Sequence, residues 1–247
     1  MAEVKRIHSL PRHDDYGSPR MTKKLNAAGI QCSENTVARL MRREGIKANR
    51  VKKFRQKTTD SNHNLPISRN LLDQCFTCSN VNRVWLTDFT YIPLKEGFTY
   101  LCTIQDLFSR RIVGWATSQT IDTKLALAAL DQAVALRSPK SGLILHSDRG
   151  SQYASADFRD RLHRYNIAQS MSRKGNCYDN APQESFFRSF KVEEVYRNQY
   201  FTHEQATRAV VDYIERFYNP VRLHSALGFQ SPIEFERTAL LELECSA

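Results

Sequence analysis

Long hydrophobic runs are missing from this chain of 247 residues. No stretch approaches the roughly 18 consecutive apolar residues of a membrane-spanning helix, so we expect no membrane contact. The first fifteen residues lack the apolar core of a secretory signal, so we expect a cytoplasmic protein. Internal repeats and low-complexity segments are also lacking, which excludes a repeat architecture. The 41% hydrophobic content instead indicates a globular protein with a sizeable core, in one large domain or two ordinary ones.

Cysteines are few and scattered, which predicts reduced thiols rather than a disulfide framework. The six are Cys32, Cys75, Cys78, Cys102, Cys177 and Cys245. Cys75 and Cys78 form a lone CxxC pair, whereas a zinc site needs four ligands. His8 and His13 could supply the other two only with the helices of residues 19–45 between the pairs, so we discount zinc.

The positive charge is concentrated in the first quarter of the chain. Residues 1–60 contain 15 Lys and Arg against 6 Asp and Glu, a net charge of +9, whereas residues 61–247 carry only +1. This asymmetry predicts a module that binds a polyanion, attached to a nearly neutral domain. A solvated basic face is the alternative interpretation.

Two short helices are predicted inside this basic quarter. Residues 19–29 begin with Pro19 and end at Gly29, and residues 33–45 have Ser33 as the candidate N-cap. Val37, Leu40 and Met41 form the buried stripe of the second helix. Its outer face supplies the candidate DNA-binding residues, which are Asn35, Arg39, Arg42 and Arg43. The pattern predicts a helix-turn-helix, with a simple packing module as the alternative.

A second basic stretch follows in residues 46–60 and has little apolar periodicity. We interpret it as an extended arm along a DNA backbone, with Lys52, Lys53 and Arg55 among its phosphate contacts. Residues 61–80 are interpreted as a linker.

From residue 82 the pattern changes to β-branched and aromatic runs. The predicted order is three strands, helix, strand, helix, strand and two helices, with a last short helix near residue 235. The predicted strands are 83–94, 98–108, 110–118, 143–148 and 167–172, and the main helices are 122–138, 155–165, 182–198 and 203–219. Hairpins followed by crossovers imply a mixed sheet with helices on its faces.

Three carboxylates depart from the usual surface role of acidic residues. Asp88 lies in the middle of a strand, Asp148 ends another strand, and Glu184 lies in the first turn of a helix. Taken singly, each of these acids is compatible with an ordinary structural role. Together, the three can converge on one point. Their mutual repulsion is relieved by divalent cations, and hard oxygen ligands suit Mg²⁺ or Mn²⁺. Two such ions can activate an attacking oxygen and stabilise a leaving one in phosphoryl displacement.

The motifs around these acids are those of a known family. Asp148 and Glu184 are separated by 35 residues, as in the DD(35)E signature, and Lys191 follows where that signature carries Lys or Arg. The surrounding motifs are VWLTDFTYI, HSDRGSQY, NCYDNAPQESFF and YNPVRLHSALGFQSPIEF. From about residue 16 to about residue 235 the chain resembles the second-reading-frame (OrfB) transposase of the IS-three group of insertion sequences, relatives of retroviral integrases.

The resemblance implies an α/β fold with an RNase H-like core in residues 81–240. This core is a mixed five-stranded sheet flanked by helices, preceded by the small all-α helix-turn-helix region. The implied activity is metal-dependent DNA cleavage and strand transfer, with two Mg²⁺ or Mn²⁺ ions per site. Asp88 would bridge both ions, Asp148 and Glu184 would complete one site each, and Lys191 would contact DNA near the scissile phosphate unless it is only a solvated lysine.

The implied partners are the terminal inverted repeats of the element and the target DNA. The resemblance also implies a homo-oligomer on DNA, cooperation or frameshift fusion with an upstream-frame (OrfA) product, and a place at the bacterial nucleoid. In that group the first transfer typically joins the two element ends into a circle.

Other residues near the motifs have two open interpretations. His146 either supports the site or packs, Asn180 and Tyr178 are candidate DNA contacts, and Arg222 and His224 either buttress the fold or touch DNA. Trp85 and Trp115 are interpreted as strand-packing residues. Two alternatives to an active transposase are a regulator that binds element ends without catalysis and a nuclease of the RNase H type, whose acids are spaced differently.

Overall fold

The computed structural model describes residues 1–48, 63–173 and 177–245. Most of the predicted basic arm, with Lys52, Lys53 and Arg55, lies outside these residues. None of the described helices is long and apolar enough to cross a membrane.

Three helices form the N-terminal region: α1 (Ala2–His8), α2 (Ser18–Ala27) and α3 (Glu34–Arg43). Ser33 caps α3 as predicted, because its side chain accepts a hydrogen bond from the backbone N–H of Thr36. Helix α1 was not predicted, yet its Val4 and Ile7 share a buried cluster with residues of α2 and α3. The predicted helix pair is therefore confirmed, with a third helix packed against it.

The core is a five-stranded sheet in the order β3-β2-β1-β4-β5. Its strands are β1 (Val84–Pro93), β2 (Phe98–Asp106), β3 (Ile112–Ser118), β4 (Ile144–Ser147) and β5 (Ala168–Met171). The first three pair antiparallel, and β4 joins β1 in parallel, with β5 parallel to β4. The predicted mixed sheet is confirmed, and β1 is its central strand.

Helices cover both faces of this sheet. On one face lie α4 (Thr123–Arg137), α5 (Ser151–Ala154) and α6 (Ala156–Arg164), which share a core cluster with residues of all five strands. On the other lie α7 (Ala181–Glu193) and α8 (His203–Val211). The C-terminal helix is α9 (Pro232–Cys245).

Two predicted helices differ from the structure. The helix expected over 182–198 ends at Glu193 and is followed by a 3-10 turn, Val195–Arg197. The single helix expected over 203–219 is α8 followed by a π-helix, Asp212–Tyr218, which buries Phe217 and Tyr218 together. Apolar periodicity does not distinguish an α-helix from a wider π turn within a few residues.

The N-terminal region is joined to the core by ion pairs. The Arg12 guanidinium lies 2.6 Å from a Glu194 carboxylate oxygen and 2.7 Å from one of Asp212. In the opposite sense, Arg197 of the core pairs with Asp14 at 2.6 Å and also with Asp15. The first fifteen residues, which matched no motif, thus contribute the contacts that fix the helix-turn-helix to the core.

Gly114 on β3 permits the close packing of α4 on the sheet. A Cβ atom at this position would lie 2.3 Å from the Ala129 carbonyl oxygen and 2.7 Å from the Ala133 Cβ. Because both neighbours belong to a helix, neither can move alone.

We therefore predict that Gly114→Ala destabilises the protein by about 1–3 kcal/mol, the usual range for an overpacked core. Urea unfolding followed by circular dichroism measures this change. Gly17→Ala is the control, because its nearest new contact is at an ordinary 3.7 Å, and it should cost less than about 1 kcal/mol. Equal stability of Gly114→Ala and the wild type would contradict this packing.

Candidate active site

Asp88 lies near the middle of the central strand. It is paired with Thr103 of β2, and the backbone N–H of Phe89 donates to its Oδ1 atom at 2.7 Å. Its strand neighbour Thr87 donates or accepts a hydrogen bond with the Tyr153 hydroxyl, which lies on the opposite face of the sheet, at 3.2 Å. The strand that carries Asp88 is therefore held by hydrogen bonds on both sides of this residue.

Asp148 follows directly after β4, the parallel neighbour of β1. Leu86 and His146 are partners in that ladder, so Asp88 and Asp148 each lie two residues beyond the same pair. The Asp148 Oδ1 atom accepts a hydrogen bond of 2.9 Å from the backbone N–H of Gly150, which orients the carboxylate at the turn. The register therefore places the two carboxylates side by side at one level of the sheet.

Glu184 is exposed in the first turn of α7. The start of this helix is fixed over β1 and β2 by two buried amides. Asn180 donates to the Thr87 carbonyl at 3.3 Å, and Gln183 donates to the side-chain hydroxyl of Thr103. Because Thr87 precedes Asp88 and Thr103 is its pairing partner, α7 brings Glu184 above the strand position of Asp88.

The three carboxylates act on one another electrostatically. Burial raises the pKa of Asp88 well above its ordinary value, and the negative charges of Asp148 and Glu184 raise it further. The N–H of Phe89 opposes this shift. Within residues 1–48, 63–173 and 177–245, however, no three His, Cys, Asp or Glu side chains lie close enough together to hold a metal ion. The three carboxylates are thus close enough for their charges to interact, but not close enough to coordinate one metal ion together.

Lys191 faces inward rather than towards solvent. Its ammonium donates to the Tyr91 carbonyl and lies 3.6 Å from the centroid of the Tyr91 ring. Burial lowers the pKa of Lys191 to about 7. In this conformation the Lys191 ammonium is therefore turned away from solvent and is not exposed for the predicted contact with DNA.

Two motif residues are structural in this conformation. His146 is fully buried between the hydroxyls of Ser170 and Ser172, at 2.8 and 3.0 Å, and burial lowers its pKa to about 4. Arg222 is buried and donates hydrogen bonds of 2.6–3.0 Å to the Glu193 carboxylate. These bonds stabilise the position of α7. The side chain of Tyr178 lies outside the described residues.

The four candidate DNA-binding residues of α3 are all exposed. They are Asn35, Arg39, Arg42 and Arg43. Their common exposure leaves the outer face of α3 accessible, whereas Val37 and Met41 are buried beneath it.

The CxxC cysteines bond locally. The Cys75 thiol lies 3.5 Å from the Thr77 hydroxyl, and the Cys78 thiol donates to the Asn80 carbonyl at 3.2 Å.

Asp179 is a buried residue of the site that the sequence did not indicate. Hydrogen bonds from Arg173 lower its pKa to about 2, and Gln74 and Asn70 also donate to it at 3.1 Å. These bonds tie the linker to the segment that leads into α7. The NCYDN motif contains Asp179, but its ion pair with Arg173 cannot be inferred from the motif alone.

Comparison with known proteins agrees with this architecture. Residues 1–54 match a family described as an HTH-like domain, and residues 79–177 and 184–240 each match an Integrase core domain family. The chain is 43% identical over 225 residues to Transposase InsF for insertion sequence IS3A of Escherichia coli (strain K12), covering 91% of this chain and 78% of the relative. It is 41% identical over 233 residues to the Insertion element IS600 uncharacterized 31 kDa protein of Shigella sonnei, covering 94% and 85%.

The fold is also found in a solved structure. The cryoEM structure of the simian T-cell lymphotropic virus intasome in complex with PP2A regulatory subunit B56 gamma matches with a TM-score of 0.51 at 16% identity. The match covers 95% of this chain and 74% of that chain. At this identity the similarity concerns the fold alone.

The repulsion at Asp88 makes a prediction about stability. A raised folded-state pKa means that the folded protein holds a proton more tightly than the unfolded chain, so stability falls as pH rises from about 4 through the raised pKa. Asp88→Asn removes this penalty and should raise the free energy of unfolding near neutral pH in metal-free buffer. Urea unfolding of both proteins at several pH values measures the difference.

Asp179→Asn is the matched control, with the opposite sign. Because hydrogen bonds hold the pKa of Asp179 at about 2, its contribution is present above about pH 4 and is lost as pH falls through the folded value. This variant should be less stable than the wild type near neutral pH. Loss of stability in Asp88→Asn would contradict the electrostatic description of the site.

Proposed function

The chain belongs to the IS3 family of insertion-sequence transposases, and we propose that it cleaves DNA at the ends of such an element and transfers the strands through Asp88, Asp148 and Glu184. The family and the integrase core indicate a polynucleotidyl transferase that acts in DNA transposition and integration. The observation that supports the residue assignment is the register of β1 and β4, which sets Asp88 and Asp148 at one level of the sheet, with the start of α7 anchored on Thr87 and Thr103.

The donor set fits a hard divalent cation. All three side chains offer carboxylate oxygens, and burial together with the negative charges of Asp148 and Glu184 raises the pKa of Asp88. Two Mg²⁺ or Mn²⁺ ions held by Asp88, Asp148 and Glu184 would offset this charge and supply Lewis-acid activation of the attacking and leaving oxygens.

The chain's own groups mainly provide position. Asp88 is held in the central strand, Asp148 by the Gly150 N–H, and Glu184 by the anchored start of α7. A water or a 3′-hydroxyl would attack the scissile phosphodiester in line, so no side chain forms a covalent intermediate. We also propose that Lys191 contacts DNA near that phosphate after leaving the Tyr91 carbonyl.

The substrates that we propose are the terminal inverted repeats of the element and target DNA. The exposed face of α3, with Asn35, Arg39, Arg42 and Arg43, would lie in a major groove, and Lys52, Lys53 and Arg55 would follow the backbone. The chain would act at the bacterial nucleoid in the cytoplasm, as a homo-oligomer on DNA and together with, or fused to, the upstream-frame (OrfA) product.

Asp148→Asn tests the catalytic assignment. The variant should lose strand joining on labelled element-end DNA with Mg²⁺ by at least about 100-fold, because an oxygen ligand with full charge is removed. DNA binding should change little, since the substitution removes only one negative charge near the phosphates. The control is Asp160→Asn, an exposed acid on α6, which should keep both activities.

Near-normal joining by Asp148→Asn would refute the two-metal assignment. Binding without joining by the wild type, with the upstream product present, would support a regulator instead. Cleavage confined to RNA–DNA hybrids would support a nuclease of the RNase H type.

The two parts of the basic quarter should respond differently to mutation. Replacing Lys52, Lys53 and Arg55 with Gln should reduce the slope of log affinity against log salt by about 2.7, or 0.9 for each phosphate contact, on any duplex. Arg42→Ala should instead cost about 1–3 kcal/mol on the element end and much less on random DNA. Fluorescence anisotropy at several salt concentrations measures both effects, and equal losses on the two DNAs for Arg42→Ala would contradict base reading by α3.

A further inference from the structure

A polar cavity lies beside the first turn of α7 and is separate from the three carboxylates. It has a volume of about 340 Å³ and is bounded by α2, the turn between β2 and β3, α7 and the segment after the π-helix. Its lining includes three arginines, Arg20, Arg110 and Arg222, together with His224 and the serines Ser185 and Ser189. Each arginine comes from a different part of the chain, which is unusual for like charges unless they share an anion.

One carboxylate serves two of these arginines. Glu193 pairs with Arg222 at 2.6 Å and lies 3.8 Å from Arg20. The Ser189 hydroxyl accepts a further hydrogen bond of 2.8 Å from Arg222. Arg222 is thus a fixed part of the cavity wall, and Glu193 is the carboxylate that Arg222 and Arg20 share.

Arg110 differs from the other two arginines. In the parts of the chain that the structure describes, its Nη1 atom is buried without a hydrogen-bond acceptor, and no carboxylate forms an ion pair with it. Asp106 is the acid that acts on it electrostatically, but the Asp106 oxygens accept from the backbone N–H groups of Asn82 and Phe108. A buried guanidinium nitrogen without an acceptor is costly, and an anion in the cavity would supply one.

The side chain of His224 reports the same positive potential. Burial and, after it, the charges of Arg222, Arg20 and Arg110 lower its pKa to about 2. His224 is therefore neutral at physiological pH and remains available as a hydrogen-bonding group at the cavity wall.

We propose that this cavity binds a phosphate group of the DNA backbone. Guanidinium groups match phosphate oxygens in geometry and charge, and three of them converge here with hydroxyls from Ser185 and Ser189. Ser185 directly follows Glu184 on α7, and Arg20 comes from the helix-turn-helix region. The cavity therefore borders both parts of the chain that the proposed function assigns to DNA, the helix-turn-helix region and the start of α7. The inference rests on the proposed function only in taking DNA as the source of the phosphate.

Arg110→Asn in the full-length chain tests this site. Arg110 has a positive φ of 60°, a conformation that Asn tolerates, so the change removes charge with little backbone strain. Affinity for a random-sequence duplex is measured without divalent metal over a four-fold range of salt. The slope of log affinity against log salt should fall by about 0.9, so the rise in salt weakens the variant about three- to four-fold less than the wild type.

Two arginine variants are the controls. Arg110→Lys keeps the charge and should keep the slope. Arg164→Gln removes an exposed charge at the end of α6, on the opposite face of the sheet, and should also leave the slope unchanged. If Arg110→Asn does not fold, Arg20→Gln tests the same cavity from α2 and should lower the slope equally.

The outcomes separate the cavity from the proposed function. No binding of the duplex by the wild type would refute the proposed function. Binding with the same slope for Arg110→Asn, or for Arg20→Gln in its place, would refute the cavity alone. A calorimetric titration with inorganic phosphate covers the other source: an Arg110-dependent signal with unchanged DNA slopes would assign the cavity to a free anion and overturn the DNA assignment.

Discussion

Repulsion between carboxylates at one level of two adjacent strands is the constraint that shapes this molecule. Asp88 and Asp148 are brought together by the parallel register of β1 and β4, and burial together with the neighbouring negative charge raises the pKa of Asp88. Flexible loops would relieve such strain by moving apart. Here the central strand is held between β2 and β4, and α7 is anchored by the Gln183 amide on Thr103, so the charges remain close.

The strands, the caps and the three acids could be predicted because their signals are local. Ser33 and Asp122 cap helices through their own side chains, and β-branched runs mark the strands. The acids were indicated by the spacing of the motifs. That spacing does not by itself show the register of β1 and β4. The same spacing placed Lys191 on the face of Glu184, but no local pattern shows that the Tyr91 carbonyl lies beneath the ammonium.

What the sequence could not supply are contacts between distant residues. Helix α1 has only Val4 and Ile7 as buried residues, too few to establish a period. Arg12 is indistinguishable from any other arginine in a basic segment until it is found against Glu194 and Asp212. Arg110 likewise becomes notable only because its buried Nη1 atom has no acceptor among the described residues. The roles of such residues are evident only in the folded structure.

The ion pairs of Arg12 also impose an order on synthesis. Its partners Glu194 and Asp212 lie 182 and 200 positions later in the chain, so they emerge from the ribosome long after α1, α2 and α3. Leu223, which completes the apolar cluster of that region, comes later still. During most of translation the nascent helix-turn-helix therefore exists without its docking surface, with its orientation towards the catalytic core not yet set. Only a polypeptide that has been synthesised past Leu223 can hold the two in their final geometry.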